Sequence, residues 1–369
     1  MWKLSKCAFE NSDLSRDNGS LSLADLAAKA GLFHKDASGV YSLLTLGLAL
    51  QRRLEDRLRA SMDNAGAHEV RLALLQDMGL WEATGREADY EGELMTTKSR
   101  SGARFALSAT AEEHITSIMK ARFQGRVVDQ WVYQIGSKWR DEIRSRAALV
   151  RAREFIMMDS YRFAMDLKAI EATHAQVRQV LTGFFGSLGL NARVEEADCG
   201  AIGGLASEEF VIDSGLEASG TLELAHSFVL GDRYSQALGF TGAQRQAVQM
   251  GCHGVGVSRT MMAWLERHRD GRGFFGDEDF AVVDTVVVAL NTHKAGVLEA
   301  AQALATRLEA QGQSVLLDDR ELSAGKKLAD SELVGACRRV VVSDRALGRG
   351  WAEGMVRATG EAFEVALAE

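Results

Sequence analysis

Not one of the 369 residues is proline. Ordinary usage of about 5% would give about 18 in a chain of this length. Proline presets the backbone of many turns, so every turn here must form without it. Drift toward alanine would leave some prolines behind in turns; their complete absence reads as removal, by selection or by design.

A chain of this length suits two domains. Hydrophobic residues make up 46% and charged residues 25% of the chain, which is a globular composition with enough apolar material for a sizeable core. The formal net charge is −8 and the pI about 5.6. That excludes a generic nucleic-acid coat, so any nucleic-acid contact must come from local basic patches. Cys7, Cys199, Cys252 and Cys337 are scattered, with no C-x-x-C pair. Neither a zinc site nor a disulfide framework is expected, and no residue is singled out as a metal ligand. A reducing cytoplasm fits. The segment Met1-Trp2-Lys3-Leu4-Ser5-Lys6 has no apolar core of signal length, and no apolar run approaches a membrane span.

Residues 44–65 predict a long amphipathic helix, with Leu46, Leu48, Leu50, Leu54 and Leu58 as its apolar stripe and Gly66 as its breaker. Strands are expected at Val70–Leu75, Arg104–Leu107, Trp131–Ile135 and Phe155–Met158, and another helix at 166–188, ended by Gly189. Strands separated by variable segments predict a mainly antiparallel α+β domain. The polar, glycine-rich residues 270–279 read as a linker. Beyond it come a strand (Val282–Leu290), a helix (Gly296–Gln311), a strand (Ser314–Leu317), a helix near 328–335 and a strand (Arg339–Val342). That order predicts a small α/β domain with a mostly parallel sheet. The expected division is 1–272 and 280–369.

Four segments could carry chemistry. In Arg140-Asp141-Glu142 the Arg and the second carboxylate lie at i and i+2, so a strand points them the same way. The Arg fork can hold a phosphate or carboxylate bidentately. Arg151-Ala152-Arg153-Glu154-Phe155 follows after a loop, and Phe155 could stack on a base. A solvated hairpin is the plainer reading. Met250-Gly251-Cys252-His253-Gly254-Val255-Gly256-Val257-Ser258-Arg259 runs into an apolar helix. An anion near that helix start would be favoured, with Arg259 reinforcing it; a tight strand–helix turn is the plainer reading. Thr110-Ala111-Glu112-Glu113 could bind a ligand ammonium through Thr110 and Glu112, and it also reads as a capping box, Thr110 with Glu113. In Thr221–Gly231, alternation puts Glu223 and His226 on opposite faces.

Together these segments resemble the class II aminoacyl-tRNA synthetases, and specifically the bacterial-type prolyl-tRNA synthetases. The second class motif is matched by Arg140-Asp141-Glu142 and by Arg151 to Phe155. The surrounding Lys138-Trp139 and Ile156-Met157-Met158-Asp159-Ser160-Tyr161 are similar too. The third motif is matched by Met250-Gly251-Cys252 through Ser258-Arg259, and the prolyl Thr-x-Glu loop by Thr110 and Glu112. Cys199 to Gly204 also corresponds. Val315-Leu316-Leu317-Asp318-Asp319-Arg320, with Gly325 and Lys327, resembles the anticodon-binding domain. The likeness covers nearly the whole chain.

The resemblance implies an antiparallel-sheet catalytic domain followed by a small α/β anticodon-binding domain. It implies activation of L-proline with ATP and Mg²⁺, transfer to tRNA(Pro), and a homodimer. Arg140 would hold the α-phosphate and the proline carboxylate, and Glu142 and Phe155 the adenine. Arg151 would lie on the ATP side with Glu223 and His226, and Arg259 would grip the γ-phosphate. Thr110 and Glu112 would hold the proline nitrogen, with Phe228 and Cys252 in the proline pocket. Asp319, Arg320 and Lys327 would meet the anticodon. A regulatory paralogue should have lost an ATP arginine, and an enzyme charging another acceptor should lack the last domain; Arg140, Arg259 and residues 280–369 are present.

The chain also departs from the family. Ala73 and Ala109 stand where family members usually have proline. Trp139 replaces a usual Phe, Ala152 a Gly and His253 a Tyr. Between the second and third motifs most bacterial-type members carry an editing domain. Here only Glu208 to Thr221 spans that gap, so hydrolysis of mischarged alanine is expected to be missing.

Overall fold

The computed structural model describes residues 1–7, 18–90 and 92–367. Its contacts form two units. One comprises Ala37–Val40 and Leu54–Ala263; the other comprises Met1–Asp36, Tyr41–Arg53 and Trp264–Glu369.

The predicted first long helix is α1 (Thr45–Asn64). Leu46, Leu50, Leu54, Leu58 and Met62, spaced by four, are all buried along one side, whereas Leu48 is only partly covered. Gly47 is the residue that allows close approach on this helix: a Cβ there would lie 1.8 Å from the Leu32 carbonyl oxygen. Gly66, just past the end, takes the left-handed φ of +94° that ends helices cheaply.

The first unit is built on a seven-stranded sheet. In chain order the strands are β1 (His68–Glu69), β2 (Asp129–Trp139), β3 (Glu154–Ala164), β4 (Arg193–Glu196), β5 (Ala206–Asp213), β6 (Thr221–Gly231) and β7 (Gln249–Gly256). Their order across the sheet is β4-β5-β6-β7-β3-β2-β1. Every pair is antiparallel except β1 with β2. Helix α2 (Leu167–Gly186) packs across β6, β7 and β3, burying Ile170, Val177, Leu181 and Phe185. The antiparallel α+β expectation holds.

Two strand predictions were too short. Trp131–Ile135 and Phe155–Met158 lie inside eleven-residue strands. Val132–Ile135 and Met158–Tyr161 are buried without alternation, because the sheet is covered on both faces, and that erases the period-2 signal. The predicted strand Val70–Leu75 is not regular. Val70 N donates to Tyr133 O at 2.7 Å and Leu72 N to the Gln134 side chain at 3.1 Å, so the segment follows β2 without forming a ladder. Strands flank it at His68–Glu69 and Leu75–Asp77.

In the second unit the sheet order is Trp2–Lys3, Val315–Asp318, Val283–Ala289, Ala336–Val342, Trp351–Val356 and Ala362–Ala366. The first four are parallel and the last two antiparallel, in keeping with a mostly parallel sheet. The final hairpin was not predicted: Gly354 interrupts its pattern, and there the Phe363 ring occupies the space a Cβ would need. The helix expected near 328–335 is Ala324–Leu333. The linker 270–279 is tied down rather than loose. Buried Arg357 clamps Asp270 through two 2.9 Å hydrogen bonds. Burial works against the Asp270 carboxylate, but Arg357 and local backbone donors outweigh it and hold its pKa far below the usual range. Among the described residues no helix is long and apolar enough to cross a membrane.

Candidate active site

A cleft of about 1000 Å³, counting its open mouth, lies within the first unit, and a substrate-sized pocket is of this order. It gathers all eleven cleft residues expected from the sequence: Thr110, Glu112, Arg140, Glu142, Arg151, Phe155, Glu223, His226, Phe228, Cys252 and Arg259. They come from β3, β6 and β7, from the segments following Leu107 and Trp139, and from the helix opening at Val257.

One end is a buried polar network. The Thr110 hydroxyl donates to Glu112 at 2.5 Å. Gln76 holds the Thr110 carbonyl at 2.8 Å and is itself held by Trp81 Nε1 at 2.9 Å. The predicted capping box does not form. The helix Glu112–Phe123 starts one residue later, with Ala111 at its cap position and no side-chain cap. Glu113 points instead to Arg86, at 2.9 Å. Arg86 Nη1 also reaches Glu112 at 3.0 Å. Burial opposes the Glu112 charge, yet Arg86 and Thr110 hold its pKa below the ordinary value. Burial, reinforced by Glu112 against the pull of Arg86, raises the pKa of Glu113. The result is one committed carboxylate beside a hydroxyl, which suits a cationic nitrogen. Phe228 and Cys252 pair across β6 and β7. Burial first, then Glu112, pushes the Cys252 thiol well up, so it stays protonated and unreactive.

Arg140 joins the two ends. Its guanidinium donates to the Ala109 carbonyl at 3.3 Å and sits 5.4 Å from the Phe155 ring centroid. At the far end Arg259 pairs with Glu223 at 3.0 Å, and Arg151 lies 3.9 Å from Glu142.

Glu223 and His226 do not lie on opposite faces. Glu223 Oε1 is 3.7 Å from His226 Nδ1. Along β5 and β6 the register runs from Phe210↔Ala225 to Val211↔Glu223. Leu224 is therefore an extra residue in β6, a bulge that reverses the parity. His226 then stacks on Phe228 with 3.9 Å between ring centroids, and burial lowers its pKa. Glu209, which sequence reasoning missed, joins this group: Glu209, Glu223 and His226 offer ligand atoms all within 4.8 Å of one another. No sequence spacing shows this, because the residues sit on two strands brought together by their pairing. Arg86 and Glu217 were missed because their partners, Glu113 and Arg151, lie far from them in sequence.

In the second unit Asp319 accepts from the Ser5 hydroxyl at 2.8 Å. Arg320 is clamped by Asp318 and Asp330, each at 2.8 Å. Lys327 requires a correction as an anticodon contact. It is 0% exposed, with Nζ donating to the Ala289 carbonyl at 2.6 Å and the Asp318 carbonyl at 3.2 Å. An ammonium committed in this way supports the loop from beneath.

An antiparallel sheet with an arginine-framed cleft, plus a small α/β unit, defines a class II tRNA synthetase. Residues 95–268 match the family model described as the tRNA synthetase class II core domain (G, H, P, S and T), and residues 284–369 match the anticodon binding domain. Among relatives, the proline–tRNA ligase of Rhizorhabdus wittichii is 30% identical over 93% of this chain and 92% of its own length. That of Phenylobacterium zucineum is 31% identical, with 91% of each chain covered. The chain belongs to the proline–tRNA ligase family. The alignment to the Acidithiobacillus ferrooxidans ligase, 27% identical, runs over 526 positions, more than this chain has residues, so that relative carries additional segments. In fold the chain is similar to the Giardia lamblia prolyl-tRNA synthetase solved with prolyl-adenylate (TM-score 0.81, 18% identity, 94% of this chain and 75% of that one). It is likewise similar to the Cryptosporidium parvum enzyme solved with L-proline and AMP (TM-score 0.80, 15% identity, 96% and 74%).

Proposed function

We propose that this chain activates L-proline with ATP to prolyl-adenylate and transfers the prolyl group to the 3′ end of tRNA(Pro). The observation that carries this reading is the convergence of Thr110, Glu112, Arg140, Phe155 and Arg259 on one cleft. The ionised Glu112 and the Thr110 hydroxyl would take the two N–H groups of the prolinium nitrogen, with Phe228 against the ring. Arg140 would hold the proline carboxylate and the α-phosphate. Phe155 and Glu142 would receive adenine, and Arg151 and Arg259 the outer phosphates. The carboxylate then attacks the α-phosphorus in line and pyrophosphate leaves. No side chain need act as nucleophile, so the chain contributes positioning and charge stabilisation.

Glu209 and Glu223 are the groups suited to hold Mg²⁺, since a hard cation prefers carboxylate and phosphate oxygens. Bound there with the triphosphate, Mg²⁺ would supply charge neutralisation. We assign residues 1–272 to catalysis and 280–369 to the anticodon, with Asp319 and Arg320 at its surface and Lys327 beneath them. A homodimer is consistent with Leu74 and Leu75, 43% and 51% exposed next to Ala73. A cytoplasmic setting fits the four free cysteines. In place of an editing domain, residues 214–220 form a short turn between β5 and β6, closed by Ser214 N to Gly220 O at 3.0 Å. Alanyl-tRNA(Pro) should therefore persist in the presence of this enzyme.

ATP–pyrophosphate exchange with proline, alanine and cysteine tests the reading, followed by charging of tRNA(Pro). Absence of proline-dependent exchange would sink it.

A further inference from the structure

The turn that joins β5 to β6 carries a carboxylate that points inward. The Glu217 side chain is 8% exposed although its backbone lies on a hairpin turn. Arg151 Nε donates to Glu217 Oε1 at 2.6 Å, and Arg146 pairs with Oε2 of the same residue. Burial opposes the Glu217 charge, but the two arginines outweigh it and keep the carboxylate ionised. The turn is a firm base: Gly220 N donates to Glu217 O at 3.0 Å, and Leu216 N to the Ser214 hydroxyl at 3.1 Å.

The segment it grips is strained. Between Arg146 and Arg151 the backbone passes through Ala147 and Ala148 at φ +50° and +51°. Left-handed alanines cost about 1 kcal/mol or more each and persist only where the surroundings fix them. Glu217 bonds one arginine on each side of that pair. It takes Arg151 by the Nε edge, while Nη1 lies 3.9 Å from Glu142 and Arg151 lines the cleft.

We infer that Glu217 is a positioning residue for the ATP half of the reaction: it locks the strained 146–151 loop and presents Arg151 Nη groups to the triphosphate. The short turn thereby does more than close a gap, because it buttresses a phosphate-binding arginine. This rests on the reading of the cleft as an ATP and proline site.

The test measures equilibrium ATP binding and, separately, proline-dependent ATP–pyrophosphate exchange for the parent, Glu217→Gln, Arg151→Ala and the double variant. Glu217→Gln is close to isosteric, and thermal melting confirms that each variant is folded. Loss of a charge-assisted hydrogen bond of this kind should raise the ATP Kd and KM about tenfold, with the KM for proline unchanged. Because Glu217 acts through Arg151, the double variant should bind ATP no worse than Arg151→Ala alone. An ATP affinity for Glu217→Gln equal to or tighter than the parent's would overturn the inference. So would fully additive losses in the double variant, or equal rises in both KM values. Glu217→Asp, which keeps the charge, should recover part of the loss; no recovery would also count against it. If ATP binding responds as expected but the parent shows no proline-dependent exchange, the substrate assignment fails and the role of Glu217 stands.

Discussion

Arg86 Nη1 lies 3.0 Å from Glu112 and 2.9 Å from Glu113, and all three side chains are buried. The same guanidinium sits against the rings of Trp81, Tyr90 and Tyr234, 5.1 to 5.5 Å from their centroids. It therefore holds the proposed proline-binding carboxylate ionised from behind the cleft lining.

Removing that charge strands two adjacent carboxylates, a loss of about 3–5 kcal/mol for a broken buried pair. Arg86→Met should unfold at markedly lower denaturant concentration. Arg86→Lys keeps the charge but loses the planar group packed against three rings; its KM for proline should rise while its KM for ATP stays near the parent's. Exchange kinetics would refute the positioning role if both moved together.

Arg140 links the Ala109 carbonyl to the Phe155 ring. Arg140→Lys should lose about 100-fold in kcat/KM for exchange, because an ammonium cannot bridge two groups as a planar fork does. Arg140 is only partly buried, so the melting temperature should change little. Parent-like exchange by this variant would mean the site is misplaced.

On the helix side of the sheet the Ser227 hydroxyl lies 2.6 Å from His253 Nδ1 and 3.0 Å from His174 Nδ1. Burial, then the neighbouring His174, pushes His253 down to about 3. Unfolded histidine titrates near 6.5. Between about pH 6.5 and 3 the unfolded chain therefore binds more protons at this position, and stability falls as pH falls. The loss is up to ~1.4 kcal/mol per pH unit. His253→Asn should flatten that slope, measured by urea unfolding at pH 7 and pH 5. An unchanged slope would assign the acid sensitivity elsewhere.

Ala73 is exposed and lies outside any helix or strand, and among the described residues its N–H makes no hydrogen bond. Restoring proline there should leave the fold intact and add about 0.4–1 kcal/mol by restricting the unfolded chain. A lower unfolding midpoint for Ala73→Pro would show that the proline-free backbone has left the φ that proline requires.

What the sequence determined by itself is the set of residues proposed for the chemistry. Thr110, Glu112, Arg140, Phe155 and Arg259 are marked by residue type and local spacing along the chain, and the long helices and glycine breakers follow from local periodicity. What the tertiary structure decided is how separate segments meet. The bulge at Leu224 places Glu223 beside His226 because strand pairing, not alternation, sets the register there. Glu113 leaves the cap for Arg86 because a buried charge must find a counter-charge. Lys327 turns inward because two backbone carbonyls require a donor. Glu217 reaches Arg151 across 66 residues of sequence. Such contacts depend on burial and long-range pairing, and no local pattern encodes them.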